Sequence, residues 1–329
     1  MDAKANVAEL RNSGGFLYRI NNSYYKPEIY AGIGLVLLSI ILSFASPYFL
    51  ESRNLINLAR QISLYAIIAS GMTFVILTGG IDLSVGSIVA VTGTFIAGFI
   101  KSGMPILVAV ILGFGIGLLF GLFNGFIIAN TRIPAIIVTL ASMSMGRGTA
   151  LLYSNGYPIS GLPNSFKVLG RGYLGPFPIA VYIMVVIFIL TYIVLNKTKF
   201  GRHVYALGGN EETVRLSGIN VRALKMKVYV ISGLMSAISG LILASRLGSG
   251  QPLSGDGWEL DVIAAVVVGG TDIAGGRGTI IGTIIGAFII GVLNNGLNLL
   301  NVSPYLQLVV KGLVIIGAVF VRAGVNKAK

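Results

Sequence analysis

Residues 104–129, MPILVAVILGFGIGLLFGLFNGFIIA, run for 26 positions without one charged side chain. About 20 such residues, wound as a helix, match the hydrocarbon thickness of a bilayer, so this stretch dictates a membrane span. Read with a window of about 19 residues, further spans fall at 29–49, 61–78, 84–100, 134–152, 177–195, 228–247, 260–276, 278–297 and 303–322. The expectation is an all-α, polytopic membrane protein with about ten transmembrane segments. Residues 29–322 form the membrane domain, 1–28 an N-terminal cytoplasmic segment and 323–329 a cytoplasmic tail. No short apolar stretch followed by a small-residue cleavage site precedes the first span, so that span is expected to be retained.

The charges fix an orientation. The chain carries a formal net charge of +13, and much of it lies in loop 196–227, with Lys197, Lys199, Arg202, Arg215, Arg222, Lys225 and Lys227 against only Glu211 and Glu212. Lysine and arginine concentrate on the cytoplasmic side of membrane proteins, which places this loop and both termini inside. Loop 153–176 and the acidic stretch around Asp256, Glu259 and Asp261 then lie outside. In such a chain the basic excess reports on bilayer orientation, not on nucleic acid. There are 0 cysteines and 1 histidine, His203, which leaves no thiolate chemistry and no histidine-rich metal site.

Two short echoes suggest an internal repeat. GGIDLSVG at 79–86 returns as GGTDIAGG at 269–276, and NGFIIANTRIP at 124–134 returns as NGLNLLNVSP at 295–304. The echoes conflict, because two expected spans separate Asp82 from Asn124 and only one separates Asp272 from Asn295. Either one echo is accidental or a first-half segment, 84–100 being the candidate, is re-entrant or broken. Such a segment is allowed where it is buried in protein or lines a cavity.

Asp82 is the costly residue. A carboxylate at the centre of a span costs at least about 2.5 kcal/mol, which makes it a functional hypothesis by default. With Gly79 and Gly80 before it and Ser84 and Gly86 after it, it has three readings: a cap on the following helix, a hinge or gate, and a substrate contact. Asp272 has the same alternatives, with Arg277 as a possible charge partner. Gly113, Gly117, Gly121 and Gly125, and again Gly278, Gly282 and Gly286, recur every fourth residue. That spacing gives one helix face on which neighbouring backbones approach closely, so both ladders read as helix packing. Other polar groups within spans are Arg147, Lys311, Asn294, Asn295 and Gln307; the two basic ones read as acid-neutralising or snorkelling groups.

In the basic loop, GGNEETVRLSGI (208–219) has the signals of a short capped helix: Asn210 as cap, Glu211 and Glu212 in the first turn and Gly218 beyond the end. Either a docking element or a basic loop lying on anionic lipid accounts for it. No phosphate-binding loop, nucleophile elbow or strand-borne dinucleotide motif is present, so the chain carries no enzyme and no ATPase of its own.

GMTFVILTGGIDLSVGSIVAVTG, GRHVYALGGNEETVRLSGINV, ELDVIAAVVVGGTDIAGGRGTIIGT and NNGLNLLNVSPYLQLVVKG resemble, in this order and over about 30–322, the permease subunits of bacterial ABC importers for simple sugars, most of all the ribose-permease group. The resemblance implies a multi-pass subunit of the cytoplasmic (inner) membrane. Its partners would be a second permease subunit, identical or paralogous, a two-domain cytoplasmic ATPase that binds ATP and magnesium, and an extracytoplasmic sugar-binding protein. No cofactor would sit on this chain. The segment Gly209, Asn210, Glu211, Glu212, Val214, Arg215, Leu216, Ser217, Gly218 and Ile219 corresponds to the ATPase-coupling region. The chain departs from the ribose motif at Asp272, where serine is usual, so Asp272 is not implied to be required. Galactose, xylose and autoinducer-like permeases share the motifs, and the resemblance leaves the sugar open. The gate or substrate pathway is expected to involve Asp82, Ser84, Gly86, Asp272, Asn294, Asn295 and Gln307, within an alternating-access cycle. An ion-coupled secondary transporter or facilitator acting alone, with Asp82 and Asp272 as coupling carboxylates, is the rival reading.

Overall fold

The computed structural model describes residues 26–327. Residues 1–25 of the expected N-terminal segment and 328–329 of the expected tail lie outside the described residues. The described residues form thirteen helices: α1 (Lys26–Ala45), α2 (Ser52–Leu77), α3 (Val85–Lys101), α4 (Ile106–Asn130), α5 (Ala135–Ser154), α6 (Asn164–Arg171), α7 (Ile179–Lys197), α8 (Lys199–Gly209), α9 (Glu211–Leu216), α10 (Val221–Leu247), α11 (Trp258–Val268), α12 (Ile280–Leu299) and α13 (Pro304–Lys327). Strand β1 (Ile159–Ser160) pairs antiparallel with β4 (Ser249–Gly250), and β2 (Tyr173–Leu174) with β3 (Phe177–Pro178). The protein is an all-α polytopic membrane protein. Among the described residues, 7 helices are long and apolar enough to cross a membrane: α1, α2, α4, α5, α7, α10 and α12.

Local sequence sets the helix ends. Pro105, Pro134 and Pro178 occupy the N-caps of α4, α5 and α7 with extended backbones, where a residue that cannot donate to a preceding turn costs nothing. Asn155 (φ 50°) and Gly248 (φ 72°) close α5 and α10 in the left-handed region.

Burial sorts the helices into a centre and a rim. The most apolar stretch of α2 is 89% buried and that of α10 is 67%, against 17% for α1, 22% for α4 and 28% for α5. Helix α10 runs antiparallel to α4 along the glycine ladder. Gly117 faces Gly233 and Ala237, Gly121 faces Tyr229 and Val230, and Gly125 faces Met226, while Gly113 meets Ile96 of α3. A Cβ placed on Gly121 would lie 2.5 Å from the Tyr229 carbonyl oxygen. The backbones are in contact, the means by which helices associate where lipid removes the hydrophobic incentive.

Several sequence expectations need correction. Segment 260–276 is not a span: α11 has 11 residues, about 16 Å of helix, and an irregular stretch follows. Hydropathy reads VVVGGTDIAGG as continuous, but Gly270, Gly275, Gly276 and Gly278 all have positive φ, which helix excludes. Gly278 (φ 153°) therefore precedes α12 and packs on Thr271, outside the ladder that Gly282 and Gly286 form against Gly269 and Ala265. Helix α2 begins at Ser52, nine residues before the expected 61, since the polar NLARQ stretch continues the helix without breaking it. Segment 84–100 is one unbroken 17-residue helix, α3, about 25 Å long, followed by a separate α4. Asn124 thus sits on the second helix after Asp82 and Asn295 on the first after Asp272, so their echo has no structural counterpart.

Substituting Gly121 by Val forces the α4 and α10 backbones apart and should cost about 1–3 kcal/mol, read as a lowered thermal midpoint of the detergent-solubilised protein. Gly115→Val, at a position with nothing within 4 Å, should leave the midpoint unchanged; equal losses at both sites would remove the packing argument.

Candidate functional site

The first echo does have a structural counterpart, shifted by one residue. Helix α2 ends with Gly79 N–H donating to Ile76 and Gly80 N–H to Val75; α11 ends with Gly270 N–H donating to Val267 and Thr271 N–H to Val266. Each is a Schellman turn, with Gly79 (φ 76°) and Gly270 (φ 104°) as the left-handed residue. Gly79 therefore matches Gly270, not Gly269, and Asp272 lies one position nearer its helix end than Asp82 does. Both aspartates accept the N–H two residues on, Ser84 at 3.0 Å and Ala274 at 3.1 Å, yet the one-residue offset sends them to different surroundings.

Asp82 points into the protein. It is 0% exposed, and besides the Ser84 amide it accepts the hydroxyls of Ser84 (2.5 Å) and, across on α10, Ser232 (2.7 Å). Asn124 of α4 donates to Ser84 Oγ at 2.9 Å, so one carboxylate gathers the chain break before α3, the middle of α10 and the end of α4. Asn124 Oδ1 and the Tyr229 hydroxyl are buried beside this network with no hydrogen-bond partner, and the Tyr229 hydroxyl fills the space over Gly80, 2.4 Å from where a Cβ would stand. Ser84 is the N-cap of α3, but its own side chain makes no cap bond; the cap-like acceptor is Asp82. Asp272 is partly exposed at the turn and meets Arg277 through the backbone, Asp272 N–H to Arg277 carbonyl at 2.8 Å; among the described residues no ion pair joins their side chains.

The structure does not bring the other pathway residues to this point. Asn294 donates to Asp261 at 3.4 Å, and Lys311 of α13 pairs with that carboxylate at 2.9 Å. Asn295 exchanges hydrogen bonds with Asn54 of α2 (2.8 and 3.1 Å), and Gln307 bonds Asn298 and the Val302 carbonyl. These groups tie α12 to α2, α11 and α13. Gly86 stands elsewhere again, where the first turn of α3 presses on Gly255 and Glu259. Ser232 and Tyr229 escaped sequence reading because serine and tyrosine are unremarkable in an apolar helix; only the pairing of α10 with the Asp82 turn gives them a role.

At the basic end the two Schellman turns meet. Gly276 N–H donates to the Leu77 carbonyl at 2.9 Å, and Gly79 lies against Ala274 and Gly275. Helix α8 seats directly on this junction: a Cβ on Gly208 would fall 1.8 Å from Leu77 O and 2.4 Å from Gly276 N, and Tyr205 donates to the Gly278 carbonyl at 2.8 Å. Helix α9 follows at once. Asn210 Oδ1 accepts Thr213 N–H at 2.9 Å, Val214 is the buried residue, and Gly218 (φ 79°) turns the chain after Ser217 toward Ile219. Lys225 of α10 holds Glu211 at 2.8 Å, and Arg215 chelates Glu212 at 2.5 and 3.0 Å. The hydrogen bonds from Arg215 hold the exposed Glu212 carboxyl below the usual range; the pair is intact at neutral pH and is lost only as pH falls through that lowered value. Leu216 remains 77% exposed on α9, and Phe200, His203, Ile219, Asn220, Ala223, Leu224 and Lys227 line a groove of about 420 Å³ beside it.

Asp82→Leu strands three donors and should cost about 1–3 kcal/mol for each one left unpaired, whereas Asp82→Asn retains an acceptor and should be far milder. Thermal midpoints of the two variants measure this; equal values would show that the network contributes nothing.

Comparison with known proteins places this geometry. Residues 54–319 match the family described as branched-chain amino acid transport system / permease component. The ribose import permease protein of Bacillus subtilis (strain 168) is 51% identical over 87% of this chain and 90% of its own length. That of Escherichia coli (strain K12) is 47% identical over 88% and 91%. The L-arabinose transport system permease protein of Escherichia coli (strain K12) is 40% identical over 86% of each. With a family match across most of the membrane domain and near-complete coverage by these relatives, the chain belongs to the permease-component family of membrane transport systems.

Proposed function

We propose that this chain is the membrane-spanning subunit of an ATP-driven importer that passes a ribose-like monosaccharide into a bacterial cell. The observation that carries the reading is the gradient of likeness: 51% and 47% identity to ribose import permeases against 40% to an arabinose permease, each across nearly the whole chain. The chain is a transport component and no enzyme. ATP and magnesium belong to a two-domain ATPase subunit, and this chain holds no cofactor.

The basic end of the bundle faces the cytoplasm, as does each terminus, following the lysine and arginine excess of 196–227. There, α9 is the coupling element. Its exposed Leu216 and the neighbouring groove offer apolar contact to the ATPase, and its caps and ion pairs keep it rigid. Displacement of α9 passes to α8, whose Gly208 bears on Leu77 and Gly276, so both Schellman turns move with it. Such a lever shifts the bundle between inward-open and outward-open arrangements. A second permease copy completes the path, and the sugar-binding protein docks at the opposite end, over residues 155–178 and the adjoining 248–250. A neutral sugar needs no buried countercharge, in keeping with Asp82 being satisfied by neutral hydroxyls and an amide.

The test is co-purification of the tagged chain with its candidate ATPase. The intact chain should retain the ATPase, while Glu212→Arg, which breaks the pair with Arg215, and Gly218→Pro, which denies the left-handed turn, should lose at least tenfold of it with normal membrane insertion. Full retention by both variants would count against α9 as the docking element, and no association with the intact chain would count against the importer reading.

A further inference from the structure

The chain after α10 does not stay at the membrane surface. Strand β4 packs with Gly250 against Gly93 and Ala97 of α3, and five residues later Gly255 packs against Gly86, at the first turn of the same helix. Seven helical residues separate Gly93 from Gly86, so the chain descends about 10 Å along α3. Lys101, at the far end of α3, is 15 residues beyond Gly86, or about 22 Å. Residues 251–257 are thus re-entrant, and α11 starts from inside the bundle.

At the bottom of this dip stands a charged group that the coupling machinery does not use. Arg147 of α5, one residue beyond the contact of Gly146 with Ser87, donates through Nη1 to the carbonyls of Pro252 (2.9 Å) and Ser254 (2.8 Å). Its Nη2 lies 3.6 Å from Asp256 Oδ1, longer than a hydrogen bond. Glu259 is within electrostatic reach of both and abuts Gly86. The Asp256 side chain is 85% exposed although it sits at this depth. A carboxylate exposed to hydrocarbon costs roughly 2.5 kcal/mol or more, so this face of the protein does not look onto lipid.

We infer that the face formed by α5 and the re-entrant segment 251–257 is a wall of the aqueous sugar path, where Asp256, Glu259 and Arg147 contact the hydroxyls of the passing monosaccharide. This rests on the importer reading and supplies the substrate contacts that reading lacks. Carboxylates accept hydroxyl protons and the guanidinium donates to hydroxyl oxygens. The Arg147–Asp256 pair is loose enough for a hydroxyl to enter, while Arg147 stays fixed by the two carbonyls. Ser144, exposed one turn before Arg147 on α5, continues the wall.

Because the chain has 0 cysteines, single cysteines report on this face without background. In vesicles holding the full transporter, Ser144→Cys and Asp256→Cys should react with a charged, membrane-impermeant methanethiosulfonate, and labelling of Ser144→Cys, which keeps all three contact groups, should stop ribose uptake. Leu190→Cys, 55% exposed on the apolar face of α7, should not react. Asp256→Asn should reduce uptake at least tenfold with the ATPase still bound. Unreactive cysteines at both sites, as for a face sealed by lipid or by a second copy, would overturn the inference, as would full uptake by labelled Ser144→Cys or by Asp256→Asn. Failure of the importer reading is separate, because it would appear as absent ATP-dependent ribose uptake by the unsubstituted transporter.

Discussion

Every backbone amide and carbonyl within a bilayer must find its partner inside the protein, and this chain interrupts its helices in the bundle at 78–84, 251–257 and 269–279. The rest of the structure follows from how those interruptions are satisfied. The first and last close as Schellman turns and then bond each other, Gly276 N–H to Leu77 carbonyl. The middle one is held by the Arg147 guanidinium on two of its carbonyls. The buried carboxylate Asp82 serves the same end: it accepts the first free amide ahead of α3 and recruits two hydroxyls to do so.

Interrupted helices demand close neighbours, which explains many of the 45 glycines. Where α4 crosses α10, where α12 meets α11 and where α8 caps the two turns, most of the atoms facing the glycines are backbone. Contacts of this kind do not deform gradually: a packed interface with few side chains to repack tends to move as a unit or separate. The same glycine contacts that hold the bundle together give the α8–α9 element a stiff connection to both chain breaks.

Much of this was legible in the sequence. Ten apolar segments marked ten helices in their order, and the capping signals of Asn210 and Gly218 gave α9 nearly residue for residue. Four-residue glycine spacing gave the α4 face. What failed did so for identifiable reasons. Hydropathy does not register φ, so 260–276 read as one span although Gly270 and Gly276 forbid helix there. Alignment by residue identity paired Asp82 with Asp272, while hydrogen bonding pairs Gly79 with Gly270 and leaves the aspartates one place apart. The dip that carries Gly255 to the first turn of α3 was not legible, because sequence carries no information on depth. Ser232 gains its role only from a contact 150 residues away in the chain.

The most direct test of the account is the ratio of sugar moved to ATP hydrolysed, measured in proteoliposomes with the ATPase and binding protein, for the unsubstituted chain and for Gly208→Val. A side chain there cannot coexist with the Leu77 and Gly276 contacts. The account predicts ATP-dependent ribose uptake by the unsubstituted chain and continued hydrolysis with at least tenfold less uptake by Gly208→Val. An unchanged ratio in the variant would contradict coupling through the two turns, and uptake without ATP would contradict the importer itself.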